Sequence, residues 1–126
     1  MSVCIVTGST VAKIAALSFT LAWTHSVQKT RWIEEWRVGP TSLQIVEAWA
    51  ESNGAGMEPQ NGAVFDGKFW RWKPAMGPLP EVALRRSDAV PEGWTFCTKG
   101  PQGSQCRAIG TPADTADIAV LKPCPD

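Results

Sequence analysis

Proline and glycine interrupt this chain so often that a long helix has nowhere to form. Gly39-Pro40, Gly54 to Gly56, Pro59, Gly62, Pro74 to Pro80 and Pro91 cut it into short pieces, and each such cluster is a place where a regular element stops and a turn begins. No segment keeps an apolar stripe at i, i+3, i+4 and i+7 for three turns, and only Val11 to Leu17 has some helical character. The remainder reads as strands near residues 2–7, 18–27, 30–38, 42–51, 63–72, 80–86, 93–98, 104–109 and 117–122. The expectation is an all-β fold, a small sandwich or barrel of about eight short antiparallel strands. At 126 residues it is expected to form one domain, 1–126.

Charge and composition narrow the function classes. The chain carries 12 basic and 12 acidic residues with no run of either sign, so the basic footprint of a nucleic-acid binder or a polybasic membrane patch is missing. With 44% hydrophobic and 19% charged residues it has the composition of a folded domain. No apolar stretch is long enough to span a bilayer, and the opening MSVCIVTGST lacks the basic n-region of a secretory signal.

Four cysteines, Cys4, Cys97, Cys106 and Cys124, allow three disulfide connectivities. Cys97 and Cys106 flank the turn-rich TKGPQGSQ and can close a hairpin, while Cys4 and Cys124 lie near the two ends and can tie them together. That pairing suits an oxidising compartment and would require an export signal upstream of Met1 or already removed. A zinc site is the weaker alternative, because no Cys-x-x-Cys pair is present and the lone histidine is distant in sequence; reduced buried thiols are the plainer one.

The stretch WTHSVQKTRWIEEW, residues 23–36, holds that histidine, three of seven tryptophans and two adjacent glutamates. Side chains alternate along a strand. Phe19, Leu21, Trp23, His25 and Val27 therefore share one face, as do Trp32, Glu34, Trp36 and Val38, which turns Glu34 inward and Glu35 outward. In the next strand Leu43, Ile45, Glu47 and Trp49 share a face, opposite Gln44, Val46, Ala48 and Ala50, a face that is also largely apolar. Hairpins turning at Gln28-Lys29 and Pro40-Thr41 would set Trp23 against Glu34, Trp36 against Ile45 and Glu34 against Glu47, with His25 diagonal to Glu34. Two facing carboxylates on an apolar wall need a shared proton, a protonated His25, a bound cation or an arginine. Arg86, which continues the Val82 and Leu84 face of VALRRS, is the arginine expected.

WTHSVQKTRWIEEWRV, followed by GAGMEP, WRWKP, LRRS and WTFC, closely resembles a family of small bacterial proteins known as domain of unknown function 1850, over Val3 to Cys124. The resemblance implies an exported, periplasmic or secreted protein, associated with tripartite ATP-independent periplasmic transporters. A transporter subunit or a solute-binding protein is then the expected partner.

The remaining features have plain readings alongside functional ones. Trp23, Trp32, Trp36 and Trp49 are expected first as core. Trp70 and Trp72, after the turn DGK, are the pair that could form an aromatic platform, although core is favoured there too. Gly54 and Gly56 in SNGAGMEP supply loop conformations, without the signature of a phosphate loop or a dinucleotide fingerprint. Glu58, which ends that loop, can swing toward the inner face. No nucleophile elbow occurs, and Ser26 points away from His25. No cofactor or metal is expected. A non-catalytic binding or accessory protein is favoured over a small hydrolase-like enzyme that would use His25 with Glu34 or Glu47.

Overall fold

The computed structural model describes residues 1–24, 29–51, 62–86, 91–100, 103–111 and 116–126. Its strands, in chain order, are β1 (Ser2–Thr7), β2 (Thr10–Ala15), β3 (Ser18–Thr24), β4 (Arg31–Val38), β5 (Leu43–Glu51), β6 (Val64–Phe65), β7 (Phe69–Trp72), β8 (Val82–Arg85), β9 (Trp94–Gly100), β10 (Gly103–Ile109) and β11 (Ile118–Cys124). All their pairings are antiparallel. They form a sheet of four, ordered β2-β1-β11-β8, and a sheet of seven, ordered β10-β9-β3-β4-β5-β7-β6. The all-β expectation holds, as a sandwich of two open sheets rather than a closed barrel.

The segment with helical character is a strand. Thr10–Ala15 pairs with β1 from Thr7↔Thr10 to Ser2↔Ala15 across the two-residue turn Gly8-Ser9. Gly8 has φ 62° there, which a non-glycine residue adopts only at a cost. Alanine, lysine and leucine favour a helix locally, but Thr10-Val-Ala-Lys-Ile-Ala also alternates, and the open edge of β1 takes it as a strand. The expected strand over 63–72 is two short ones, because Asp66 turns the chain: its Oδ1 accepts the backbone N–H groups of Lys68 and Phe69 at 2.9 and 2.7 Å.

Alternation fills the space between the sheets. Val3 and Ile5 of β1, Leu84 of β8, and Ala119 and Leu121 of β11 face Phe19, Leu21, Trp36, Val38, Leu43, Ile45, Phe96 and Ile109 of the larger sheet. Burying each large apolar side chain in this set contributes roughly 1.5–3 kcal/mol. Phe19 is stacked on both Trp36 and Phe96, with ring centroids 6.3 and 5.0 Å apart. Gly93, at φ 63°, packs so closely under Ile109 that a β-carbon there would overlap its carbonyl oxygen.

All four cysteines are paired as the spacing favoured. Cys4–Cys124 joins neighbouring strands β1 and β11, and Cys97–Cys106 joins residues directly opposite on β9 and the edge strand β10.

Candidate functional site

The seven-stranded sheet is wider than its cover, and tryptophans occupy the excess. Residues directly opposite in an antiparallel pair share a face, so the register defines rows across the sheet. One row runs Trp23, Trp32, Ala50, Trp70, Phe65 from β3 to β6; the next runs Phe96, Leu21, Glu34, Ala48, Trp72 from β9 to β7. Phe96 and Leu21 belong to the buried core, whereas Trp32, Glu34, Trp70 and Trp72 lie outside it and are half-buried. The small residues Ala48 and Ala50 leave room above β5. Into that room lean Trp32 and Trp72, whose rings meet edge to face at 6.0 Å and 88°. Trp23 stacks on Trp32 at 6.2 Å, and Phe65 packs on Trp70 at 4.9 Å. Thr30, two residues before Trp32, is 3% exposed, and its hydroxyl has no hydrogen-bond partner among the described residues.

Glu34 is the one charged residue within these rows. Leu21 and Ala48 flank it on the adjacent strands, and the indole Nε1–H of Trp36 donates to its Oε1 at 3.0 Å. Ion pairs among the described residues join Arg71 to Glu47, Lys68 to Glu51, Arg86 to Asp117 and the N-terminus to Asp126, and none of them reaches Glu34. Burial pushes the Glu34 carboxyl above the ordinary glutamate value, and the Trp36 hydrogen bond offsets this only in part.

A raised folded-state value has a definite sign. Between the unfolded and folded values the native protein holds the proton more tightly, so stability falls as pH rises through that window and the loss is complete above it. Glu34→Gln keeps an acceptor for Trp36 and removes the charge. Its urea midpoint is expected above the wild-type midpoint at neutral pH, with the gap closing as pH drops below the ordinary carboxylate range. Glu35→Gln, on the outer face, is the control for removing a neighbouring charge from the same strand. A Glu34→Gln midpoint at or below wild type at neutral pH would mean that the carboxylate is not desolvated.

The facing pair of Glu34 and Glu47 is not formed. A β-bulge lies where Glu35 pairs with Glu47 but Trp36 pairs with Ile45, leaving Val46 as an extra residue on β5. One extra residue exchanges the faces beyond it. Leu43 and Ile45 therefore face the core, Ala48 and Ala50 continue that face, and Glu47 and Trp49 turn outward opposite Glu35 and Ile33. Glu47 meets Arg71 Nε there at 3.4 Å. Arg86 does not neutralise Glu34: its Nη2 is 3.1 Å from Asp117 Oδ1. The first hairpin is also displaced by two residues, pairing Trp23 with Trp32 and Leu21 with Glu34, which preserves the faces but changes the neighbours. His25, Gly54, Gly56 and Glu58 lie outside the described residues.

Trp70 and Trp72 do share the face of Glu34, through Ala50 and Ala48. Trp36 is core at 3% exposure, and Trp23 packs against the core as expected. Trp32 belongs to the aromatic run outside that core, and Ala48 and Ala50, which make space for it, were not singled out in the sequence. Their signal was present in the alternation of AWA within LQIVEAWAE, read there on the wrong side of the bulge. Among the described residues no group of three His, Cys, Asp or Glu could hold a metal ion, and no helix is long and apolar enough to cross a membrane.

The family model described as Domain of unknown function (DUF1850) matches residues 19–103, and the chain belongs to that family. The matched span runs from the second residue of β3 through β9 and contains every residue of the tryptophan-rich rows. No curated protein and no solved structure matches the chain.

Proposed function

We propose that this DUF1850 protein is a non-catalytic binding protein of an oxidising, extracytoplasmic compartment, which takes a small ligand on the tryptophan-walled face beside Glu34. The observation that carries this reading is a desolvated carboxylate, paired with no basic side chain among the described residues, on an aromatic surface beyond the reach of the second sheet. Clefts that bind small molecules combine such apolar and aromatic walls with a few placed polar groups. Two disulfides, which persist where thiols are not kept reduced, support the compartment. An acid–base reaction between Glu34 and Glu47 has no place in this reading, since the two carboxylates are on opposite faces. The partner in this reading is a tripartite ATP-independent periplasmic transporter subunit or its solute-binding protein, which the resemblance described above supports.

Thermal unfolding of the intact protein against amino acids, dicarboxylates, sugars, organic cations and divalent metals tests the binding reading. A true ligand at a hundred times its Kd adds about 2.7 kcal/mol of stability. That gain is expected to disappear in Trp72→Ala. If no compound raises Tm, or if Trp72→Ala responds like wild type, this face is not the binding site. Crosslinking in the native host followed by purification tests the partner separately: recovery without either transporter component would reject the transport link and leave ligand binding untouched.

A further inference from the structure

Resting on the binding reading above, we infer that the ligand of this face is a small organic cation, a quaternary or substituted ammonium group held against the indoles of Trp32 and Trp72 with Glu34 as its counter-ion. The rings of Trp32 and Trp72 stand at 88° to one another, so together they make a corner rather than a flat platform. A corner of indole faces suits a tetrahedral cation, because the negative face of each ring attracts positive charge and tryptophan does so most strongly of the aromatic residues. Trp23, stacked on Trp32, extends the wall toward β3.

The distribution of charge points the same way. Glu34 contributes the only formal charge in the two rows, and Trp36 engages one of its oxygens, Oε1. The neighbouring cations are committed elsewhere: Arg71 lies on the outer face with Glu47, and Lys68 reaches Glu51. A dicarboxylate or phosphate would meet Glu34 with no basic side chain in either row to compensate it. A sugar would need several directional partners, acceptors as well as donors, and the described rows offer Glu34 as their one carboxylate acceptor beside the Thr30 hydroxyl and the donor-only indole N–H groups of the tryptophans. An ammonium ion instead supplies the opposite charge that a desolvated carboxylate lacks, and its methyl groups bury against tryptophan.

Calorimetric titration of the full-length protein with choline, tetramethylammonium and the uncharged tert-butyl isostere of choline tests this inference, beside a sugar and a dicarboxylate from the earlier panel. The cations are expected to bind and the isostere to bind about tenfold more weakly or worse, a difference of about 1.4 kcal/mol. Glu34→Gln and Trp72→Leu are each expected to weaken choline binding by about tenfold or more, while Trp49→Leu, on the outer face, leaves it unchanged. Circular dichroism and the urea midpoint establish that each variant is folded. Equal binding of choline and its isostere, or unchanged choline binding by folded Glu34→Gln, overturns the cation assignment and leaves a binding face. Binding of the sugar or dicarboxylate in place of the cations does the same. If nothing in either panel binds, the binding reading fails, and the cation assignment with it.

Discussion

Replacing both Cys4 and Cys124 by serine is expected to lower stability by about 5 kcal/mol, a large share of what a domain of this size holds in reserve. The bond joins residues 120 apart in sequence, so breaking it releases nearly the whole chain in the unfolded state. In the folded state little else changes, because β1 and β11 remain paired along six residue positions. The second bond gives the internal comparison. Cys97–Cys106 closes a separation of only 9 residues, and the same chain-entropy argument assigns it under about 3 kcal/mol. Urea unfolding of the two double variants under non-reducing conditions should therefore place Cys4→Ser/Cys124→Ser well below Cys97→Ser/Cys106→Ser. Equal losses, or the reverse order, would show that the bond acts through native packing rather than through the unfolded chain.

The difference in what these bonds do fits their places in the fold. Cys4–Cys124 secures the small sheet in which the two ends of the chain meet, supported by the hydrogen bond of 2.6 Å from Ser2 Oγ to Asp126. Cys97–Cys106 secures β10, the edge strand of the large sheet, whose side chains are exposed from Gly103 to Ala108. An edge strand has pairing on one side only and frays more readily than a central one. The short covalent loop holds it against β9 without requiring more core.

Much of the sandwich was legible because apolar alternation is a strong signal where one face of a strand is buried. Phe19, Leu21 and Trp23 on β3, and Trp32, Glu34, Trp36 and Val38 on β4, face where their alternation puts them. The two-residue displacement between these strands was not legible: an even shift keeps every side chain on its face, so the apolar pattern cannot distinguish the two registers. Strand β5 posed a different difficulty. LQIVEAWAE is apolar on both alternations, and a bulge at Val46 satisfies both, using Leu43 and Ile45 before it and Ala48 and Ala50 after it. Nothing in the local sequence places an extra residue at Val46 rather than nowhere. The core demands it, since an unbroken strand would direct Glu47 and Trp49 inward and the small alanines outward. The bulge thus makes the candidate site as well as hiding it: it sends one carboxylate out to Arg71 and leaves Glu34 as the sole charge among the tryptophans in the described rows.

Trp36 couples this site to the core, and its substitution is the second large effect expected. At 3% exposure, with its ring against Phe19, Trp36→Ala should cost about 3–5 kcal/mol through lost burial and the cavity left behind. Trp36→Phe separates that packing from the polar contact. It retains much of the ring but removes the Nε1–H that reaches Glu34 Oε1, so a desolvated carboxylate loses its donor. A hydrogen bond to a charged group contributes about 1.5–3 kcal/mol, and leaving one partner buried and unsatisfied adds to the loss. If that contact is what the phenylalanine variant lacks, the penalty should shrink once the carboxylate is gone. In a double-mutant cycle of Trp36→Phe with Glu34→Leu, followed by urea unfolding at neutral pH, the coupling between the two sites is expected at about 1.5–3 kcal/mol. Additive losses would mean that Trp36 acts through its volume alone. A coupling of the expected size would identify the indole N–H as the link by which a core residue holds the carboxylate of the proposed binding face in place.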